Sequence, residues 1–421
     1  MSERVSGWRT GLRRILWVLA VMVAVGVALP FGCVGNRMFN TEPDDYLRRY
    51  STPGGLPYSV AVVEFDDQGQ PWDLRQLDAA IAEIRRFNRS SDNGIILYQF
   101  IHGWKSNAAR EKSSGERLAW FEGRVAAVAE QSEATSRQGI AAPRPVVGLY
   151  IGWRGRTYSL PVLIDASFWN RRVAAHRVAS KSLQEVLYRS VNAARERPDA
   201  KCALLGHSMG GMILEETLGP ALVSEILLAE HTEAAVPVRY DLIVAANASS
   251  EALLTKQLID VFKRTHAELV LEDAAGRRRP AAGPMLASIT SVDDGVTRYM
   301  VPLAMTFNSL FVRYRPAGEG SLASQRRLGL HTAGHLPVLH SHTVEVAGGD
   351  IAIREVPGRW NDTPFWVFRV PAEISRNHGD IDGPLWGRLM LRLMEGNRVF
   401  DPSVRMLLTA GDLEDDTAPG R

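Results

Sequence analysis

The chain has 421 residues, of which 45% are hydrophobic and 23% are charged, so it can bury a large core and has the composition of a folded globular protein. Its formal net charge is only +2, which gives no electrostatic argument for binding nucleic acid. Two cysteines exclude a disulfide scaffold, so the class of protein must follow from the pattern along the chain.

The first 33 residues have the pattern of a targeting segment. Four arginines precede an apolar run from Ile15 to Gly32, and the next charge is Arg37. This pattern predicts a secretory signal or a membrane anchor with a cytoplasmic N-terminus. Cys33 follows "LPFG" and resembles the lipidated cysteine of bacterial lipoproteins, although Pro30 occupies the position where leucine is usual. Lipidation and an uncleaved anchor stay open, and both predict a protein attached to the membrane of the cell envelope, facing away from the cytoplasm.

The domain boundaries follow from composition. Residues 34–56 contain "TEPDD" and "STPGGLP" and are interpreted as a linker. Residues 57–400 are expected to form one catalytic domain, and residues 401–421 a C-terminal tail.

Strands and helices alternate beyond the linker. The predicted strands are 58–65, 94–103, 145–153, 202–207, 240–248, 284–292 and 364–374, with a hairpin over 343–356. The predicted helices are 74–88, 114–131, 168–195, 209–230, 250–266 and 383–395. Strands of continuous apolar character separated by helices predict an α/β fold, in which a mostly parallel central sheet is covered by helices on both faces.

A G-x-S-x-G motif lies where strand 202–207 meets helix 209–230. Ser208 occupies the joint, with Gly206 and Gly210 on either side. In this context the motif is a nucleophile elbow, a sharp turn that projects the serine oxygen from the sheet edge. The backbone N–H of Met209, at the start of the helix, is then a candidate oxyanion donor.

The segment "FIHGW" at the end of strand 94–103 can supply a second oxyanion donor. Gly103 allows the chain to turn, so the N–H of Trp104 can point toward the serine. We expect His102 to hold this loop by hydrogen bonds rather than to transfer protons.

Four motifs, "FIHGWK", "GHSMGG", "TSVDDGVT" and "NHGDI", follow one another in an order that resembles the α/β-hydrolase superfamily, specifically its serine esterases and lipases. The resemblance covers about residues 58–395. It implies an α/β-hydrolase fold with catalytic residues in the chain order serine, acid, histidine. The acid is expected after a late strand and the histidine in a loop after the last strand.

Two aspartates compete for the acid position. Neighbours on a strand point to opposite faces, so only one of Asp293 and Asp294 can reach the histidine. The D-x-x-T spacing from Asp294 to Thr297 resembles the acid turn of related esterases and favours Asp294, with Asp293 as the alternative.

His378 is the candidate base, because the resemblance places the base in the loop after the last strand. His342 is its main rival and belongs to a cluster with His331, His335 and His340. No carboxylate or cysteine interleaves this cluster, and its spacing matches no helical ligand pair, so we expect no metal and no cofactor.

The sequence therefore predicts a serine hydrolase that cleaves carboxylic esters through an acyl-enzyme. Its expected partners are a small-molecule or lipid ester and, through the N-terminus, a membrane. The segment 154–169 is expected either to line an acyl pocket or only to pack. Two alternatives stay open: a catalytically inactive binding or envelope-assembly protein, and a thioesterase, acyltransferase or peptidase with the same triad.

Overall fold

A computed structural model describes residues 35–110, 117–137, 142–158, 161–237, 239–264, 284–313, 322–357 and 363–396, with Trp17 and short stretches between 270 and 280. Apart from Trp17, the apolar run 15–32 lies outside the described residues. Cys33 and the tail 401–421 also lie outside them. Within the described part of the chain, no helix combines the length and apolar character needed to cross a bilayer.

The centre of the molecule is an eight-stranded sheet. Its strands are β1 (Leu47–Ser51), β2 (Pro57–Phe65), β3 (Ile96–Ile101), β4 (Val146–Trp153), β5 (Lys201–His207), β6 (Leu242–Ala246), β7 (Leu286–Ser291) and β8 (Phe365–Val370). They lie in the order β1-β2-β4-β3-β5-β6-β7-β8. Only the β1–β2 pair is antiparallel. The prediction of a mostly parallel sheet is confirmed.

Helices connect the strands. They are α1 (Pro43–Tyr46), α2 (Leu74–Ser90), α3 (Leu118–Arg137), α4 (Pro161–Ala166), α5 (Phe168–Val178), α6 (Lys181–Arg195), α7 (Met209–Thr232), α8 (Ala252–Arg264), α9 (Val301–Asn308), α10 (Leu322–Leu330) and α11 (Pro384–Gly396). A π-helix (Val296–Met300) leads into α9, and two 3-10 turns span Ala333–His335 and Pro337–Leu339. Strands His342–Ala347 and Asp350–Glu355 form the predicted hairpin. Three short strands, Val236–Pro237, Val270–Glu272 and Arg278–Pro280, form a small separate sheet.

Two apolar layers cover the sheet. Alternate residues of a strand point to opposite faces, so Val60 and Val62 of β2 enter one layer while Ala61 and Val63 enter the other. Helices α2, α5, α6, α7 and α8 pack on the face of Ala61 and Val63. Helices α3 and α11 pack on the opposite face. Helices on both faces are therefore confirmed as well.

Part of the segment interpreted as a linker is folded onto the sheet. Residues 43–51 form α1 and the edge strand β1, which pairs with β2. Just before them, the backbone N–H of Asn40 donates to Glu64 over 2.8 Å. Pro43, Asp44 and Asp45 of "TEPDD" are the first residues of α1, and "STPGGLP" connects β1 to β2, so both segments that suggest a linker take part in this folded unit.

The single helix predicted over 168–195 is wrong, because the structure has two helices there. Ser180 leaves the helical conformation between α5 and α6, with φ −114° and ψ 176°. Its hydroxyl donates to the carbonyl of Gly69 over 3.1 Å. Serine in an extended conformation is a common start for a helix, and here it also ties the junction to the loop after β2.

The order of strands reverses between β3 and β5. From β3 the chain continues to β4 on one side, and from β5 it continues to β6 on the other. At such a point the connections after the two adjacent strands diverge and leave a crevice at the carboxyl edge, where open α/β sheets bind ligands. Gly103 follows β3 and Ser208 follows β5, so both lie at this crevice.

Candidate active site

Ser208 has a strained backbone at the joint of β5 and α7. Its φ is +58° and its ψ is −121°, a conformation that residues other than glycine rarely adopt. Hydrogen bonds on both sides hold it there, from its own N–H to the carbonyl of Ala246 over 2.9 Å and from the N–H of Ser249 to its carbonyl over 3.1 Å. Strain that the surroundings maintain in this way is typical of functional positions.

Gly206 and Gly210 of the motif have no room for a side chain, because other backbone atoms approach them closely. A Cβ atom at Gly206 would lie 2.5 Å from the carbonyl oxygen of Gly210. A Cβ atom at Gly210 would lie 2.1 Å from the carbonyl oxygen of Ile101. The start of α7 is thus pressed against both β5 and β3, which forces the turn at Ser208 to be sharp.

The structure brings Ser208, His378 and Asp294 into one line of hydrogen bonds. The Ser208 Oγ lies 2.6 Å from Nε2 of His378. The Nδ1 of His378 lies 2.8 Å from Oδ2 of Asp294. The arrangement fits one tautomer, in which Nδ1–H donates to the carboxylate and Nε2 accepts the serine proton. His378 lies in the loop between β8 and α11, after the last strand.

Asp294 is the aspartate that faces His378. It is completely buried, whereas Asp293 is exposed to solvent. Its Oδ1 accepts the backbone N–H groups of Val296 over 2.9 Å and Thr297 over 3.0 Å. Burial raises the pKa of the Asp294 carboxyl, but His378 and the hydrogen bonds from His378 and Thr297 outweigh it and hold the pKa below its ordinary value. The carboxylate is therefore charged.

The two candidate oxyanion donors are the backbone N–H groups of the residues that follow Ser208 and Gly103. Met209 is the first residue of α7, where N–H groups have no partner within the helix. A Cβ atom at Gly103 would lie 3.2 Å from the Ser208 Oγ, so the neighbouring Trp104 backbone lies close to the serine. Among the described residues, no hydrogen-bond partner is found for the N–H of Met209 or of Trp104.

His102 holds the loop after β3, as expected from the sequence. Its Nδ1–H donates to the carbonyl of Gly103 over 2.9 Å, and its Nε2 accepts the N–H of Trp153 over 3.0 Å. Burial lowers the pKa of His102 to about 4, although both hydrogen bonds act in the opposite direction. The ring is therefore neutral and connects the ends of β3 and β4.

Two residues that the sequence analysis did not select hold the backbone of His378. The His207 Nε2–H and the Asn247 amide both donate to the His378 carbonyl, over 2.8 Å and 2.9 Å. Burial, followed by the neighbouring His378, lowers the pKa of His207 well below its ordinary value, so its ring is neutral. Asn247 has φ +47°, which asparagine tolerates better than most residues. A polar residue at the end of β6, beside the serine strand, is the signal that could have identified it.

His342, the rival base, lies elsewhere. It starts the hairpin strand His342–Ala347, its ring stacks on Trp366 with centroids 3.8 Å apart, and its Nδ1 lies 2.8 Å from the hydroxyl of Ser341. Of the same cluster, His335 contacts the Thr297 hydroxyl over 3.0 Å. In the described ranges, no three histidine, cysteine or acidic side chains are grouped to hold a metal ion.

The segment after β4 packs on the loop that carries Trp104. A Cβ atom at Gly155 would lie 2.5 Å from the Gly103 carbonyl oxygen. The Trp104 indole N–H donates to the Ser167 hydroxyl over 3.2 Å. The Lys105 ammonium lies 2.7 Å from the Asp165 carboxylate. The described parts of 154–169 therefore pack against the loop 103–105, which approaches Ser208 at Gly103.

Comparisons with known proteins add little to this geometry. No family model and no curated protein sequence matches the chain. One solved structure that matches is phospholipase PlaB from Legionella pneumophila, with 11% identity and a TM-score of 0.25. The match covers 63% of this chain and 51% of that phospholipase. Similarity this low supports no inference, so the chemistry of the site has to be argued from its own atoms.

Proposed function

We propose that this chain is a serine hydrolase of the α/β-hydrolase type, which cleaves carboxylic esters through an acyl-enzyme intermediate. One observation carries the proposal: the unbroken hydrogen-bonded line Ser208–His378–Asp294, which begins at a serine with positive φ.

The reaction follows from the positions of these groups. The Ser208 Oγ attacks the carbonyl carbon while His378 Nε2 takes its proton, and Asp294 stabilises the imidazolium. The N–H groups of Met209 and Trp104 stabilise the oxyanion. The C–O bond then breaks, and His378 returns the proton to the leaving alkoxide. Water, deprotonated by the same ring, cleaves the acyl-enzyme to release the acid and restore Ser208.

The choice of an ester rests on the resemblance, because the same atoms can process thioesters and amides or transfer acyl groups. Trp104 packs edge-on against Phe168 of the segment 154–169, with ring centroids 5.1 Å apart. Both rings belong to the hydrophobic core, so a hydrophobic acyl group, as in a lipid ester, stays a prediction from the sequence. Lipidation at Cys33 and a location in the cell envelope stay predictions from the sequence.

The test uses a fluorophosphonate probe, which reacts with activated serines whatever their substrate. We expect the full-length protein in detergent to be labelled and Ser208→Ala to be unlabelled. Asp294→Asn should be labelled about 10³- to 10⁴-fold more slowly, because the wrong histidine tautomer is then stabilised. Asp293→Asn is the matched control and should react like the parent, since Asp293 is exposed.

Two outcomes would contradict the proposal. A folded parent protein that is not labelled would favour a catalytically inactive binding protein. Equal loss of labelling in Asp293→Asn and Asp294→Asn would contradict the assignment of the acid. A labelled parent would then be tested on matched oxygen esters, thioesters and amides of increasing acyl length.

A further inference from the structure

A row of exposed apolar side chains begins five residues after Asp294. Tyr299, Leu303 and Phe307 recur every four residues through the π-helix and α9, and so lie on one face. The chain continues past α9 with more of the same kind. The apolar side chains in this row that are more than half exposed are Tyr299, Leu303, Phe307, Leu310, Phe311 and Val312. We call them the 299–312 stripe. Exposed apolar residues grouped in this way mark interaction surfaces.

Arginines surround the stripe. Arg298 and Arg313 lie at its two ends, and Arg326 and Arg327 lie on α10, which packs beside α9. All four are exposed, and in the part of the chain that the structure describes none of them forms an ion pair. Arg326 and Arg327 also line an open groove together with His331. The stripe therefore combines an apolar row with arginines that have no ion pair among the described residues.

We infer that the 299–312 stripe docks onto a lipid surface with anionic headgroups. Aromatic and aliphatic side chains on one face, with arginines beside them, are the composition of helices that lie in the membrane interface. The apolar groups would enter the boundary between headgroups and acyl chains while the arginines pair with lipid phosphates. This docking does not require the hydrolase activity proposed above. If that activity is present, the stripe brings the membrane close to the turn that holds Asp294.

Two other occupants are disfavoured by charge. A second copy of the chain, packed through this surface about a two-fold axis, would place arginines against arginines. The apolar run 15–32 of the same chain could cover the row, but it follows four arginines of its own and would leave the positive charge of the stripe unpaired. An anionic lipid surface satisfies both the apolar row and the arginines.

The test measures the local environment of the stripe, because the N-terminal run can by itself attach the full-length chain to vesicles. In a Cys33→Ser background the remaining cysteine, Cys202, is buried. Phe311→Cys, at a side chain that is 97% exposed, would carry an environment-sensitive nitrobenzoxadiazole label. We expect its emission to shift to the blue with vesicles of phosphatidylglycerol and phosphatidylcholine, and much less with phosphatidylcholine alone.

A matched label at Leu228→Cys is the first control. Leu228 is also an exposed apolar residue, at 62%, but it lies 19 residues along α7 from Met209. That separation is about 29 Å along the helix axis, away from the carboxyl edge of the sheet. Its label should not shift with either vesicle.

Charge reversal supplies the second control. Arg326→Glu with Arg327→Glu should weaken the vesicle affinity read at position 311 by about 30-fold or more, since each arginine near an anionic surface contributes about fivefold. Arg48→Glu with Arg89→Glu changes the net charge equally at exposed positions outside the stripe and should leave that affinity unchanged.

Three results would overturn the inference. The first is an unshifted label at position 311 in protein that floats with anionic vesicles. The second is a blue shift without vesicles that grows with protein concentration, which would indicate a second copy. The third is a blue shift without vesicles at all concentrations, which would indicate the chain's own apolar run. Fluorophosphonate labelling of the same variants in detergent is unaffected by docking, so the two proposals fail independently.

Discussion

At the scale of single residues, the backbone carbonyl of His378 is the point where the site is held together. It accepts hydrogen bonds from His207, the last residue of β5, and from Asn247, which follows the neighbouring strand β6. Asn247 in turn accepts the N–H of Ser291 at the end of β7 over 2.9 Å. The loop that carries His378 is thus attached to three parallel strands. The imidazole ring of His378 takes no part in this attachment and bridges Ser208 and Asp294.

Replacement of His207 should lower reactivity without unfolding the protein. We expect His207→Leu to reduce the fluorophosphonate labelling rate about 10- to 100-fold, because small displacements of a catalytic group have effects of this size. His207→Gln should recover most of the rate, since its amide N–H can replace the Nε2–H donor. The measurement is the labelling rate of each variant beside its thermal unfolding midpoint.

Equal rates for the leucine and glutamine variants would show that the hydrogen bond to His378 has no role in positioning. A midpoint lowered equally in both variants, with the rate recovered only in His207→Gln, would separate positioning from stability.

At the scale of elements, the site depends on how closely α7 approaches β3 and β5. Gly210 lies against the carbonyl of Ile101, and Gly211 lies against Ala248, where an added Cβ would be 2.9 Å away. These contacts involve backbone or short side chains that cannot rotate away. A methyl group at Gly210 must therefore move an element, and the strained turn at Ser208 moves with it.

Two glycine-to-alanine substitutions should have opposite effects on stability. Gly210→Ala should lower the free energy of unfolding by about 1–3 kcal/mol, because the added Cβ meets backbone 2.1 Å away. Gly123→Ala, within α3, has open space around the added Cβ and should raise it by about 0.5–1 kcal/mol through helix propensity. Urea unfolding of each variant measures both changes. A Gly210→Ala variant as stable as the parent would show that α7 can move away from β3 at little cost.

At the scale of the whole molecule, buried titratable groups act on stability in opposite directions. Burial lowers the pKa of His102 to about 4, so between about pH 6.5 and 4 the unfolded chain binds a proton that the folded chain does not. Burial raises the pKa of Glu215 to about 7, so between about pH 7 and 4.5 the folded chain binds the extra proton. Acidification therefore destabilises the fold through His102 and stabilises it through Glu215.

Comparison of variants isolates each contribution. Between pH 6.5 and 4.5 the free energy of unfolding should fall less in His102→Gln than in the parent. The two falls should differ by up to about 3 kcal/mol, because the variant has no imidazole at this position to protonate. Glu215→Gln should show the opposite change, with a steeper fall on acidification than the parent. Urea unfolding at the two pH values measures both, and identical falls in all three proteins would contradict the assigned pKa shifts.

Local patterns in the sequence were sufficient to predict several features of the molecule. Apolar runs and helical periodicity located seven of the strands in the central sheet, and the spacing of Gly206, Ser208 and Gly210 identified the sharp turn. The order of Ser208, Asp294 and His378 along the chain came from the resemblance of short motifs. Each strand and each motif lies within about ten residues, where backbone geometry alone relates one position to the next.

Contacts between distant residues became known only from the folded chain. The contacts of His378 with Asp294 and with Ser208 join residues 84 and 170 positions apart, and no local period relates such residues. The choice between Asp293 and Asp294, the separate place of His342, and the support from His207 and Asn247 all depend on the side-by-side order of β5, β6, β7 and β8. The same holds for β1, because the composition of this strand does not predict its pairing with β2. Strand order and register are properties of the assembled sheet, and they determine which side chains share its carboxyl edge.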